Sequence, residues 1–269
     1  MNIDIKCSNF RSITKSGNGG SIEVCVDVSV GIKECVFNDL TVTVHGGAVY
    51  LSANSCVISK CVFIECCSTK HAGDSGYGNA VSVNKKDSNV DNIAMYKCAA
   101  NSERCSDSSI EFSQQTLAKY INSTLNYGYC GGAGISLLSE ATNNTVKFMN
   151  VVDPYDHHAI ESMNKVLAIF CNFINTTHLR TAVFWSRLDN GIKFDTCIFI
   201  NSCSKFSSGP RWEAVNCQAD SSLESITQTT PNSIDIHVNL IREVDQICIS
   251  NQIRRLTSSS LVFIIMLIC

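Results

Sequence analysis

Short peptides of one type recur along this 269-residue chain at an interval close to 26 residues. Each combines a small or β-branched first residue (Cys, Ala or Val), an aromatic residue and a carboxylate or amide: CVFND at 35–39, CVFIE at 61–65, AKYIN at 118–122, VKFMN at 146–150, CNFIN at 171–175 and CIFIN at 197–201. A fixed period of roughly 20–50 residues is typical of a repeat architecture. The chain is therefore expected to be built from stacked copies of one small unit.

A second, glycine-rich motif alternates with the first. Its copies are GGSIEV at 19–24, GGAVYL at 46–51, GNAVSV at 78–83 and GGAGIS at 131–136. Phe37 precedes Gly46 by nine residues, the same step that separates Phe10 from Gly19. Glycine permits a positive φ or a close backbone approach, and the β-branched residues that follow favour a strand. Each copy therefore predicts a corner followed by a short strand.

The spacing within the motifs predicts strands. In Cys-x-Phe the two side chains share one face, because side chains alternate along a strand. Two or three short strands per repeat, with no helical periodicity between them, predict an all-β chain folded as a parallel β-solenoid of about eight irregular rungs. The expected ladder residues are Phe37, Phe63, Tyr120, Phe148, Phe173 and Phe199, then Cys35, Cys61, Cys171 and Cys197, then Gly46, Gly47, Gly131 and Gly132, with Asn150, Asn175 and Asn201 as an amide ladder.

The chain has 16 cysteines, which two hypotheses explain. One is a secreted disulfide framework. The other makes the cysteines of the Cys-x-Phe motif small inward-facing apolar residues, and their shared phase with Phe favours it. Cys66, Cys67, Cys130 and Cys203 lie near expected loops and are the preferred disulfide candidates. Zinc is a weaker interpretation, since no paired Cys-x-x-Cys is present and His71 lacks finger spacing.

Two places could carry acid–base chemistry. DPYDHH at 153–158 gathers two Asp and two His residues, but His157 and His158 fall in the Gly-Gly slot of their repeat. A corner with bulky residues is therefore preferred there. Asp39 and Glu65 are expected one rung apart, without a basic partner in register. No catalytic residue, cofactor or metal ligand is predicted.

Charge and the chain ends restrict the partners. A net charge of −3, with Lys and Arg scattered along the chain, disfavours nucleic-acid binding. We expect a repeat domain over 1–250, clearest over 7–217, and a basic, Ser-containing linker with a short apolar tail over 251–269. That tail has two interpretations. It is either a transmembrane segment that is cut short, and so an incomplete anchor, or a β cap. No secretory signal peptide is predicted at the N-terminus.

Three Asn-x-Ser/Thr sequons occur, at Asn122, Asn143 and Asn175. They would accept glycans if the chain passed through a secretory pathway. The alternative is that Asn122 and Asn175 belong to the repeat's own amide positions, since a chain rich in Asn, Ser and Thr produces sequons by chance.

The alternating Gly-Gly-Ala and Phe-x-Asn motifs, with GGAVYL and GGAGIS as the best copies, resemble the polymorphic outer-membrane-protein (Pmp) repeats of bacteria and the Pmp-like surface proteins of protists. The high Cys content is closer to the protist type. This resemblance implies a right-handed parallel β-helix, as in pectin lyases, and a cell-surface or extracellular, adhesin-like protein without catalytic residues. The family's Phe-x-x-Asn spacing is shortened here to Phe-x-Asn.

The expected function is therefore that of a non-enzymatic surface β-helix, acting in adhesion or ligand binding or as a structural spacer. A host-surface or carbohydrate ligand is the expected partner. The alternative is a carbohydrate-active β-helix enzyme of the polysaccharide lyase or hydrolase type, which would bring several carboxylates together on one face.

Overall fold

The computed structural model describes residues 2–69, 78–84, 88–98, 109–113, 116–138, 144–176, 179–186, 191–201 and 212–219. These residues form short β-strands connected by tight corners. The strands are β1 Asn2–Lys6, β2 Asn9–Lys15, β3 Ile22–Val24, β4 Ser29–Lys33, β5 Val36–Val42, β6 Val49–Leu51, β7 Ser55–Ile64, β8 Cys67–Ser68, β9 Val81–Val83, β10 Ser88–Tyr96, β11 Ile110–Phe112, β12 Thr116–Thr124, β13 Tyr127–Leu137, β14 Asn144–Val152, β15 Tyr155–Ser162, β16 Val166–Ile169, β17 Asn172–Ile174, β18 Leu179–Ser186, β19 Ile192–Asp195, β20 Ile198–Ile200, β21 Trp212–Val215 and β22 Gln218–Ala219.

The strands stack into two parallel sheets. In the larger sheet nine strands follow one another in the order β1, β4, β7, β10, β12, β14, β16, β19 and β21. In the smaller sheet seven strands follow in the order β3, β6, β9, β11, β13, β15 and β18. Each strand pairs in parallel with its counterpart one coil away. The predicted all-β parallel β-helix is confirmed, and the stacking is consistent with the right-handed form.

Residues with a left-handed backbone conformation, that is with positive φ, lie at the corners of the coils and form two columns along the solenoid. In the described ranges, all seventeen non-glycine residues with positive φ, between 47° and 59°, belong to one of these columns. The first column contains Cys7, Glu34, Lys60, Asn92, Tyr120, Phe148, Phe170, Thr196 and Asn216, and the second contains Ser12, Asp39, Glu65, Lys97, Leu125, Asp153, Asn175 and Asn201. One such residue reverses the alternation of side chains and bends the strand without a loop. A short corner is therefore repeated in almost every coil.

The core contains the predicted Phe and Cys ladders of the early and late coils. Phe37, Phe63, Phe173 and Phe199 have no exposed surface, and neither do Cys35, Cys61, Cys171 and Cys197. The ring centroids of Phe37 and Phe63 are 4.7 Å apart, and those of Phe173 and Phe199 are 5.1 Å apart, both nearly coplanar. One-coil spacing thus stacks equivalent rings face to face.

Tyr120 and Phe148 do not belong to this ladder, which corrects the sequence prediction. Both lie in the first corner column, half-exposed, at φ values of 51° and 54°. Ser123 and Val151 occupy the inward position in their coils, in register with Phe173. The reason is that Tyr120-Ile-Asn and Phe148-Met-Asn align with Phe170-Cys-Asn, and not with the Phe173 pentapeptide.

The amide ladder is also divided differently from the prediction. Asn122, Asn150 and Asn172 share one row, in which the Asn172 amide donates to Asn150 Oδ1 at 2.7 Å. Asn175 and Asn201 form a separate corner pair, where Asn201 donates to Asn175 Oδ1 at 3.1 Å. Two ladders of side-chain amides therefore connect the coils where one was expected.

The glycine pairs occupy tight corners. Gly46 has a φ of 58°, in the region that glycine adopts without a steric penalty. A Cβ on Gly47 would lie only 2.6 Å from the backbone nitrogen of Cys67, so the next segment approaches too closely for a side chain. Gly131 and Gly132 lie within β13, and Gly132 pairs with His158 of the next coil.

All eleven described cysteines are free thiols. Cys66, expected as a disulfide candidate near a loop, lies at the corner between β7 and β8 as a free thiol with no exposed surface. Burial raises the pKa of the Cys66 thiol and of the Cys197 thiol, because the low-dielectric core disfavours a thiolate. The side chains of Cys130 and Cys203 lie outside the described part of the structure, as do residues 220–269 with the apolar tail.

Candidate functional site on the outer faces of the two sheets

The outer face of the smaller sheet bears a polar row, one residue per coil. Its members are Glu23, Tyr50, Ser82, Glu111, Ser136, Glu161 and Trp185, in register across β3, β6, β9, β11, β13, β15 and β18. They alternate with inward residues such as Val24 and Leu51, which places them on the outside of the coil. We call this set the smaller-sheet row.

Two carboxylates lie in the middle of the smaller-sheet row. Glu111 and Glu161 are two coils apart, about 10 Å between their Cα atoms at the usual strand spacing. Ser136 lies between them and donates a hydrogen bond to Glu161 Oε2 at 2.8 Å, while the backbone N–H of Gly132 donates to Ser136 Oγ. Both glutamates are only 2% exposed. The glutamates therefore occupy a packed polar layer.

Aromatic pairs lie along the same face. The His158 ring stacks on Trp185 with 5.3 Å between centroids, and the His45 ring stacks on Tyr50 at 5.5 Å. Burial raises the pKa of the Tyr50 hydroxyl, because charge is disfavoured where water is excluded. His158 is only 3% exposed, so its ring is covered and offers little surface to a ligand.

Sequence reasoning did not select either glutamate. A signal was available, since Ser-Ile-Glu occurs at 21–23 and at 109–111 and Ala-Ile-Glu at 159–161. Each copy belongs to the strand after a corner, and alternation places its Glu on the outside. The glycine motif predicted the corner and the strand after it, but it gave no indication that the Glu within that strand matters.

The acidic residues singled out in the sequence do not converge. Asp39 and Glu65 are consecutive members of the second corner column, one coil apart as expected. Asp153 belongs to the same column, whereas His158 pairs with Gly132 at the corner of the smaller sheet. The register that assigned His158 to the Gly-Gly slot is the observed one. The side chains of Asp156 and His157 lie outside the described residues.

The outer face of the larger sheet carries an open groove of about 250 Å³ across its first three coils. Gly31 forms its floor, where a Cβ would lie 2.6 Å from Asp4 Oδ1. The Ser55 hydroxyl donates to Ser29 Oγ at 2.9 Å, and Val57 is 48% exposed. Asn2, Asp4, Lys6, Ser29, Val30, Gly31, Ile32, Lys33, Ser55, Val57 and Ser59 line the groove. This is an accessible polar surface with a small apolar centre.

Three aromatic rings stack at the first corner column. Tyr120 and Phe148 are 4.9 Å apart and Phe148 and Phe170 are 5.2 Å apart, with interplanar angles of 3° and 10°. Both faces of the central Phe148 ring are covered, whereas Tyr120 and Phe170 are each covered on one face by Phe148 and Phe170 is 39% exposed. A ligand ring therefore has no open platform on Phe148.

The sequons differ in accessibility. Asn122 is only 6% exposed and its Oδ1 accepts a hydrogen bond from Thr124, so its expected use as a glycan acceptor does not fit the folded chain. Asn175 is half-exposed at a corner, and its hydrogen bond from Asn201 uses Oδ1, leaving the amide nitrogen for a glycan. Asn143 lies outside the described residues.

The described residues provide neither a metal-ion site nor a membrane-spanning helix. They contain no group of three His, Cys, Asp or Glu side chains placed to hold a metal ion. No helix that could cross a bilayer occurs among them either.

The fold defines the chain as a parallel β-helix repeat protein. Comparison with family models, with curated proteins and with solved structures found no match to the chain. Its function is therefore argued from its own surface.

Proposed function

We propose that this chain is a non-enzymatic β-helix repeat protein of the cell surface or extracellular space that binds an extended ligand, with carbohydrate as the favoured class. The observation that carries the proposal is the open groove over Gly31. Hydroxyls of Ser29 and Ser55 and the exposed side chain of Val57 suit a ligand that combines hydroxyl groups with apolar CH faces. The resemblance of the motifs to Pmp repeats supports the class of protein, a surface or extracellular protein that binds a ligand.

The stacked coils add multivalency to this proposal. Equivalent outer positions recur about every 4.8 Å along the rod, so a polymeric ligand meets a similar surface several times. Many shallow contacts then sum to useful avidity without a deep pocket. A stiff rod of this kind also serves as a spacer that holds its contact surface away from its point of attachment.

Filling the groove tests the proposal. Gly31→Val adds a side chain at a half-exposed, outward-facing strand position where a β-branched residue is favoured, and only the flexible Asp4 side chain has to shift, so the fold should be retained. We expect the wild-type chain to bind members of a glycan array and the variant to lose that binding. Val62→Ile, which adds bulk on another outer row, is the matched control. Equal binding by wild type and Gly31→Val, or no glycan binding by either, would refute the role of the groove.

A carbohydrate-active enzyme is the second candidate, and Glu111 with Glu161 favours it. Glycoside hydrolases use two carboxyl groups roughly 5–10 Å apart. The low exposure of both glutamates and the hydrogen bond from Ser136 favour a structural role instead. Release of reducing ends from polysaccharides, abolished by Glu161→Gln with unchanged unfolding, would establish the enzyme and displace the first proposal.

The proposed location has its own test. We expect protein recovered from its native cells to lose mass on enzymatic deglycosylation, with peptide mapping that places a glycan on Asn175 and none on Asn122. The exposure of the two side chains gives the reason. A glycan on Asn122 would contradict its burial. An unchanged mass, together with a fully reduced thiol count, would contradict the surface location itself.

A further inference from the structure

One row of the larger sheet gathers lysines that are far apart in sequence. Lys6, Lys33, Ser59, Asp91, Lys119 and Lys147 are successive partners across β1, β4, β7, β10, β12 and β14. Four of these six positions are Lys, in two adjacent pairs. The row spans about 24 Å at the usual strand spacing. The sequence gives no hint of this row, because 86 residues separate Lys33 from Lys119.

Most of these lysines lack a counter-ion. Lys6 forms an ion pair with Asp4 at 3.8 Å. Lys33, Lys119 and Lys147 take part in no ion pair of the described structure, although Asp91 lies beside Lys119 in the row. By contrast, Lys15, Lys60 and Lys193 each have a carboxylate partner. Lys97 and Lys165, elsewhere on the described chain, also take part in no ion pair, so what distinguishes the row is that it holds three such lysines in register.

The placement of Lys119 beside Lys147 costs stability. Like charges directly opposite each other on neighbouring strands repel, and both side chains are only half-exposed, which limits screening by water. Asp91 on the other side of Lys119 offsets part of this repulsion, but Lys147 has the uncharged Ile169 on its other side and no carboxylate there to offset the rest. An external anion that bridges the two ammonium groups would do so.

We propose that this lysine row binds an anionic polysaccharide, one that carries sulfate or carboxylate groups along its length. The inference rests on the proposed glycan-binding function and names the ligand class. Lys6 and Lys33 line the groove over Gly31, so the row extends that groove toward Lys119 and Lys147. The hydroxyls of Ser59 and Thr145 lie on the same face and can bond to sugar hydroxyls.

A polysaccharide fits this face better than a nucleic acid does. Binding of single-stranded nucleic acid relies on aromatic faces on which bases stack. Of the nearby rings, Phe148 has both faces covered by Tyr120 and Phe170, which leaves at most one face of each outer ring for a base. Lysine acts as a point charge on a flexible stem, which suits anionic groups at varied positions along a sugar chain.

The test compares two triple variants of the full chain. Lys33→Gln, Lys119→Gln and Lys147→Gln together remove three charges from the row. Lys15→Gln, Lys97→Gln and Lys165→Gln remove three charges elsewhere and serve as the matched control. Binding to immobilised dextran sulfate, polygalacturonate, neutral dextran and single-stranded DNA is measured at low and high salt, with unfolding curves to verify the fold.

We expect dextran sulfate or polygalacturonate to bind in a salt-sensitive manner, with affinity about tenfold weaker in the row variant and nearly unchanged in the control. The relative affinities of those two polymers identify sulfate or carboxylate as the preferred anion. Equal losses in both variants would reduce the effect to net charge and overturn the proposal. Tighter binding of single-stranded DNA would replace polysaccharide with nucleic acid. Binding of neutral glycans in the groove without any polyanion binding would refute the lysine row and leave the proposed function intact.

Discussion

The early coils and the middle coils of the solenoid differ in the side chains that fill the interior beneath the larger sheet. In the early coils the interior holds aromatic rings and thiols, as at Phe37, Phe63 and Cys56. In the middle coils the Cys56 row becomes polar and continues with Ser88, Thr116 and Asn144, whereas Phe63 is followed by Met95, Ser123 and Val151. Tyr120 and Phe148 of the middle coils lie at the corner instead, while Phe112 of the smaller sheet is fully buried.

This difference shows that the backbone conformation repeats from coil to coil more closely than the types of side chain do. A left-handed residue at each corner fixes the path of the coil in both regions. The interior then tolerates either apolar packing or polar side chains, although Ser88 Oγ and Asn144 Nδ2 are buried there without a hydrogen-bond partner. In the middle coils Asn126 donates to Ser123 Oγ and to the carbonyl of Met95, which ties one coil to the next.

The largest contrast should come from removing one ring in each region. Phe63→Ala leaves a cavity beside Phe37 in a fully buried ladder and should cost about 3–5 kcal/mol of unfolding free energy. Phe148→Ala removes a half-exposed ring stacked at a corner and should cost about 1 kcal/mol. Urea unfolding followed by circular dichroism measures both.

The comparison between the regions would be broken by equal losses in these two variants. That result would mean that the corner stack of Tyr120, Phe148 and Phe170 bears as much packing as the interior ladder. Phe173→Ala, an interior ring of the late coils, serves as the control and should behave like Phe63→Ala.

The sequence predicted the fold more fully than the register. Period and alternation were enough for the parallel β-helix and for the inward position of Phe37 and Cys35. The Tyr120 and Phe148 assignments failed because the step from Phe148 to its true counterpart Phe170 is 22 residues, while Phe173 offered a similar pentapeptide only three residues later. Letters alone could not distinguish an inward Phe from a corner Phe.

Surface features were harder to foresee, for a physical reason. A row on the outer face joins residues that are one coil apart, and the coil length varies between strands. The lysine row and the pair of Glu111 and Glu161 both depend on the exact register of every intervening coil. A shift of one residue would turn those side chains to the other face.

The buried thiol of Cys56, an interior residue of the early coils, makes the stability of the fold depend on pH above about pH 9. Burial raises its pKa from the ordinary value of 9.0 to about 11. The folded chain therefore keeps a proton that the unfolded chain loses between these values, so stability is full below about pH 9 and falls as the pH rises toward 11. Two pH units correspond to about 2–3 kcal/mol for this one group.

Cys56→Val, a substitution of similar volume, should flatten that fall in unfolding free energy between about pH 9 and pH 11. The measurement is a series of urea unfolding curves for both chains. Part of the fall should remain in the variant, because burial also raises the pKa of Cys66 and of Cys197. Identical pH profiles for wild type and variant would show that Cys56 ionises as easily in the folded chain as in the unfolded one.

The smallest effect concerns the corners that both regions share. Thr196 is β-branched and has a φ of 55°, a conformation in which such residues are strained. Thr196→Gly should therefore stabilise the fold by up to about 1 kcal/mol, even though it removes the hydrogen bond from Thr196 Oγ1 to Asp195. Asn216→Gly, at the same corner one coil later with a φ of 52°, should change stability less, because Asn tolerates this region. A larger gain at Asn216 than at Thr196 would show that local hydrogen bonding, and not backbone strain, decides which residues the corner column accepts.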